Sequence, residues 1–196
     1  MNDFDPYDDD ALLAEAQQDA RREQAERRIR ALLDRRPPVF AAEGKLHPDI
    51  QQWTERFLRG HHGPLILIGT VGTGKTWSLW KAAETLIRQG WRGRFEIAAT
   101  YEVKEATDRP VDTEMLRLWR EADLFAIDDL GAQRVNDWDA EALFNLIDRR
   151  WQHKRPTIVA SNEVGLKDFI GDRAASRLQD GATFVKFTGD DRRRAR

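Results

Sequence analysis

Eight consecutive residues carry the clearest chemistry. Residues 69–76 read GTVGTGKT, the G-x-x-x-x-G-K-T spacing of a phosphate-binding loop. Gly69, Gly72 and Gly74 permit backbone shapes that a Cβ would forbid. The loop's N–H groups, with Thr70, Val71 and Thr73 between the glycines, can then converge on an anion. A helix opening near Lys75 adds the positive end of its dipole. Lys75 brings a point charge to the β- and γ-phosphates, Thr76 offers a hydroxyl to Mg2+, and Trp77 follows as a further nucleotide contact. The implied ligands are ATP and Mg2+.

Such a loop needs a metal-binding carboxylate on a neighbouring strand. LFAIDD (124–129) supplies it: four apolar residues place Asp128 at a strand's C-terminal end, where it holds Mg2+, and Asp129 polarises the attacking water. TIVASN (157–162) is a strand ending on Asn162, a polar amide where the γ-phosphate and its water would lie. In GDRAASRL (171–178), Arg173 and Arg177 stand four apart on one helix face. They read either as surface residues paired with Asp172 or Asp180, or as an arginine finger serving a neighbouring subunit's ATP. Arg177 is the favoured finger, with Arg173 next.

Elements must hold these residues in place. LILIG (65–69) is a short, continuously apolar run, as in a buried parallel strand. Helices are expected over 76–89, 112–122, 139–152 and 172–180, and strands over 94–100, 124–129, 157–162 and 183–187. In the 139–152 helix, Leu143, Leu146, Ile147 and Trp151 are expected to face inward. Ile50, Trp53 and Phe57 mark one face of an earlier helix. Alternating strands and helices predict an α/β fold, a parallel sheet flanked by helices.

Residues 1–10 are acidic and read as disordered, and 11–34 as a long helix of good helix formers with few apolar positions, ended by Pro37 and Pro38. Such a helix bridges solvent or is completed by a partner. The chain thus divides into a charged arm, 1–38, and a nucleotide-binding domain, 39–196. Its 32 Lys+Arg and 34 Asp+Glu balance to −2, but seven arginines crowd 21–36 and four close the chain. These runs are solvated faces, or a contact surface for DNA phosphates or an acidic partner. With no Cys there is no disulfide or thiolate zinc site, and the absence of a long apolar stretch argues against a membrane span. A cytoplasmic protein is expected.

Residues 53–192 resemble the AAA+ module of the DnaC/DnaI helicase loaders and the related IstB transposition helper ATPases. The resemblance rests on GTVGTGKT, ADLFAIDDLGA (122–132), LFNLIDRRWQHKRPTIVASN (143–162) and GDRAASRLQDGATFVKFTGDDRR (171–193). It implies an AAA+ P-loop core without a separate lid domain, self-association with ATP at subunit interfaces, and the roles assigned to Lys75, Thr76, Asp128, Asp129 and Asn162. It also implies that Arg192, just after the final strand, contacts nucleotide in cis. The implied activity is ATP-dependent loading of a replicative ring helicase, with residues 1–36 docking the helicase and single-stranded DNA as the substrate gripped. The alternative is a transposition helper acting on duplex DNA. Zinc-bearing N-terminal domains occur in some loaders; without Cys, this chain has none.

Overall fold

The computed structural model describes residues 9–131, 137–162, 165–189 and 191. The chain runs α1 (Asp9–Arg35), α2 (Pro48–Leu58), β1 (Leu65–Gly69), α3 (Lys75–Arg88), β2 (Phe95–Ala99), α4 (Thr100–Thr107) and α5 (Thr113–Glu121). It continues through β3 (Leu124–Leu130), α6 (Asp137–Gln152), β4 (Thr157–Ser161), α7 (Lys167–Gln179) and β5 (Thr183–Phe187). All strand pairs are parallel, in the order β2-β3-β4-β1-β5. The α/β class expected from the sequence is therefore present.

Parallel strands need crossovers, and these helices cover both faces of the sheet. Leu65 and Leu67 of β1 face α2 and α3, with Trp53, Phe57, Leu79 and Leu86. Ile66, between them, faces the opposite core with Ile127, Val159, Leu146 and Ala174. The continuous apolar run is thus period-2 alternation with both faces buried.

Helix α4 is absent from the sequence expectations. It is short, and two threonines and a valine give it weak helical propensity. It is fixed by context: the Glu102 carboxylate accepts from the Ala99 N–H at 2.6 Å, and Val103 and Ala106 are buried beside Leu116 and Trp119. Helix α7 begins five residues before the expected start, and Gly171 (φ 77°) breaks it into two segments, the second matching the expected helix. Trp151 departs from the inward face predicted for it. It is 44% exposed, and its indole N–H donates to Asp180 at 2.7 Å.

The arm also departs from a free charged helix. Residues 12–24 are exposed throughout, but the C-terminal third of α1 is docked. Ile29 and Leu32 join the core around α3, and Arg28 donates to the carbonyls of Trp91 and Gly93. Arg36 reaches Glu84, a buried carboxylate also bound by Lys81 and Arg88. Burial would raise the Glu84 carboxyl, but Arg88 and Lys81 override it and hold it below its ordinary value. Part of the arginine run thus serves the chain's own core. Asp9 and Asp10 open α1, while residues 1–8 lie outside the described residues.

Candidate functional site

Strand β1 ends where the glycine loop begins, and α3 starts at Lys75. Gly74 caps that helix at φ 99°, a conformation open to glycine and costly to other residues. Thr73 Oγ1 donates to the Thr70 carbonyl at 2.8 Å and braces the turn. The Lys75 ammonium donates at 2.8 Å to the carbonyls of Gly69 and Thr70 and, also at 2.8 Å, to Oδ1 of Asn162. The end of β4 therefore meets the loop at its lysine. Chain direction and sheet order do this: β4 is the parallel neighbour of β1, so their C-terminal ends are adjacent.

The two acids arrive by an irregularity in β3. Register shifts between Ile127 and Leu130, and Asp129 adopts φ 52°. In a regular strand consecutive side chains oppose each other. The bulge re-aims Asp129 into the nucleotide-side pocket, while Asp128 stays buried and accepts from Thr76 Oγ1 at 3.1 Å. Burial, then the neighbouring Asp129, push the Asp128 carboxyl up to about 6, against the opposing pull of the Thr76 hydroxyl and Lys75. A buried hydroxyl–carboxylate pair beside a second carboxylate is a hard-oxygen donor set of the kind Mg2+ takes.

The pocket has a volume of about 460 Å³ and extends from Lys75, Thr76, Asp129 and Asn162 to a segment the sequence did not flag. Residues 39–45, between α1 and α2, lie across it as a strap. Trp77 holds the strap: its indole N–H donates to the Ala42 carbonyl at 2.7 Å. Its ring fills the space beside Gly44, where a Cβ would stand 2.9 Å from the indole. Val39, Phe40, Val71 and Trp77 make that end of the pocket apolar, next to a phosphate-binding end. Loop residues 30 positions away carry no local signal of such a role; only the fold brings them there.

Arg173 and Arg177 do not line this pocket. Arg177 pairs with Asp148, not with Asp172 or Asp180, and stacks over Phe144 and Trp151. Arg173 lies over the Phe144 ring at 4.1 Å. Arg177 shares a groove with Gly60–Pro64 and Lys154–Arg155, the loops that enter β1 and β4. It therefore sits at the N-terminal edge of the sheet, about one strand length (~16 Å for five residues) from the P-loop edge. Arg192 lies outside the described residues.

A five-stranded parallel sheet carrying a P-loop, a strand-end acid pair and a strand-end Asn on its C-terminal edge defines a P-loop ATPase of the AAA+ class. The chain belongs to the family of IstB-like ATP binding proteins, whose model matches residues 53–175. No curated protein matches it in sequence. Among solved structures it is similar to a DnaC helicase loader (TM-score 0.63, 20% identity, 76% of this chain and 96% of that one). It is also similar to DnaI (TM-score 0.65, 20% identity, 81% and 94%). A third likeness is AMPPCP-bound DnaA from Aquifex aeolicus (TM-score 0.62, 21% identity), where 78% of this chain covers 50% of that one. Among the described residues, no helix is long and apolar enough to cross a membrane.

Proposed function

We propose that the protein is a cytoplasmic helicase loader: an ATPase that assembles with copies of itself, grips single-stranded DNA and delivers a replicative ring helicase to it. ATP lies with its base against the apolar end of the pocket, lined by Val39, Phe40, Val71 and Trp77, and its phosphates on the P-loop. Mg2+, held by Thr76 and Asp128, would neutralise charge developing on the phosphates. Asp129 orients the attacking water, and Asn162 positions the γ-phosphate together with Lys75. Arg177 of one copy completes the site of the next, and Arg192 contacts nucleotide in cis.

The observation that carries this reading is the division of the constellation across the sheet. Lys75, Thr76, Asp128, Asp129 and Asn162 converge on one edge, and Arg177 stands on the other. A chain built so has its phosphate-binding groups in one place and its cation for a neighbour in another. Mixing tests it. Arg177→Ala and Lys75→Ala proteins, each nearly inactive alone, are expected to recover ATPase activity when combined, because one supplies the finger and the other the P-loop. No recovery in assembled mixtures would remove the trans role.

Docking of the helicase is assigned to residues 1–36. The exposed stretch of α1 supports this, with Leu12 and Leu13 54% and 57% exposed. The full chain is expected to co-purify with a replicative helicase, and a chain lacking residues 1–24 is expected to lose it while keeping nucleotide binding. Truncating there spares the docked part of α1. The family itself supports a second reading, a transposition helper on duplex DNA. Tighter binding to duplex than to single strands, with no helicase capture, would favour it.

A further inference from the structure

The edge of the sheet opposite the P-loop is lined with cations. Each segment entering β2, β3, β4 and β1 brings at least one: Arg92 and Arg94, then Arg120 in the last turn of α5, then Lys154 and Arg155, then Arg59. The strand order places these segments side by side in that sequence, across three strand spacings, or ~14 Å. They are joined physically: the Arg155 guanidinium donates to the Arg120 carbonyl at 2.8 Å, and the Leu124 N–H to the Arg94 carbonyl at 3.0 Å.

Several cations elsewhere on the surface are neutralised in pairs. Arg27, Arg35, Arg88, Lys104 and Arg117 each pair with a carboxylate. None of the six on this edge forms an ion pair among the described residues. All are exposed except Arg155, which is half-buried. The acids nearby are already engaged: Asp123 accepts from the Arg94 N–H at 2.7 Å, and Asp180 from the Trp151 indole. Arg155 and, more weakly, Arg94 add to burial in lowering the guanidinium of Arg150 beneath them, and Arg92 adds to burial in lowering that of Arg28, with the Asp123 carboxylate opposing both.

We infer that this edge binds the phosphodiester backbone of a nucleic acid. An unpaired row of like charges is a standing cost that a polyanion relieves, and guanidinium groups match phosphate oxygens in shape as well as charge. Contacts of this kind read no bases, so binding is indifferent to sequence. The inference extends the loader reading by locating its DNA contact, on the face away from the nucleotide.

Neutralisation tests it: the triple variant Arg59→Gln, Arg92→Gln, Lys154→Asn, the last chosen because Asn tolerates the positive φ of Lys154. Binding of a labelled oligothymidylate and of a duplex is titrated between low and moderate salt. If the three groups each meet a phosphate, the slope of log K against log salt becomes shallower by roughly 2 on single strands (~0.7 per contact), and affinity at low salt drops about tenfold or more. A fluorescent ATP analogue should bind as in wild type, since the nucleotide pocket lies at the other edge. Unchanged oligonucleotide affinity and slope would overturn the inference. So would a triple variant that no longer self-associates without DNA, which would assign the edge to contact between copies. A wild-type chain that binds the ATP analogue but no nucleic acid would overturn it too, and leave the ATPase site standing.

Discussion

Changing Asp128 to Asn is expected to raise the melting temperature of the nucleotide-free protein by several degrees and to lower Mg2+-dependent ATP hydrolysis at least about a hundredfold, roughly 3 kcal/mol of barrier. The two effects share one cause. The carboxyl titrates near 3.8 in an unfolded chain and at about 6 in the folded one. The folded state therefore holds the proton more tightly, and stability present below 3.8 is lost as pH rises through 6. At neutral pH the buried carboxylate costs the fold up to roughly 3 kcal/mol. An amide of the same shape removes that cost, and with it the negative charge that would hold Mg2+. Melting curves of both proteins from pH 7.5 to 4.5 check the sign: the advantage of the variant is expected to be greatest at pH 7.5 and to shrink below pH 6. A variant less stable than wild type at pH 7.5 would contradict the account.

The opposite outcome is expected at Arg150. It is 1% exposed, with no carboxylate partner among its described contacts. Its guanidinium instead gathers backbone acceptors. It donates to the carbonyls of Trp119 and Ala122 at 2.7 and 2.8 Å, where α5 ends, and to Pro156 at 2.6 Å and the Thr157 hydroxyl at 3.1 Å, where β4 begins. The plane also faces the Phe125 ring at 5.4 Å. Helix C-terminal carbonyls carry partial negative charge, so a cation suits them. Burial, then repulsion from Arg155, pull the guanidinium down to about 9, which leaves it charged at neutral pH. Arg150→Met keeps most of the volume but strands those carbonyls in a dry interior. A loss of ~3–5 kcal/mol is expected, read as a lower urea midpoint with an unchanged slope. A cost below ~1 kcal/mol would mean that water replaces the guanidinium.

The same two residues show how far the sequence could be read. Asp128 was legible because its signal is local: an apolar run, then acids, a fixed distance after a glycine loop. Arg150 was invisible, because one arginine in a charged helix looks solvated until β4 and the end of α5 close over it. Asp129 lies between these cases. Its type and place could be read, but its direction depends on a bulge in the β3–β4 pairing that no residue of LFAIDD announces. Trp151 failed for a related reason. Helical periodicity assigned it to the inner face, but it lies at the end of α6 near solvent, where Arg177 of α7 stacks over its ring and Asp180 accepts from its indole N–H.

By itself, then, the sequence determined the chemistry held in contiguous runs: the phosphate loop, the strand-end acids and Asn, the alternation of parallel strands and helices, and with them the ATPase class. Runs of this kind work through backbone conformation and short spacing, which the order of residues specifies directly. Only the tertiary structure decided what depends on distant segments meeting. It laid residues 39–45 over the pocket beneath Trp77, docked the end of α1 against Glu84, sent Arg177 to the edge away from the P-loop, and lined up the cations of separate segments. A parallel sheet does this because each strand returns in the same direction, collecting every strand's C-terminal residues on one edge and its entering loops on the other.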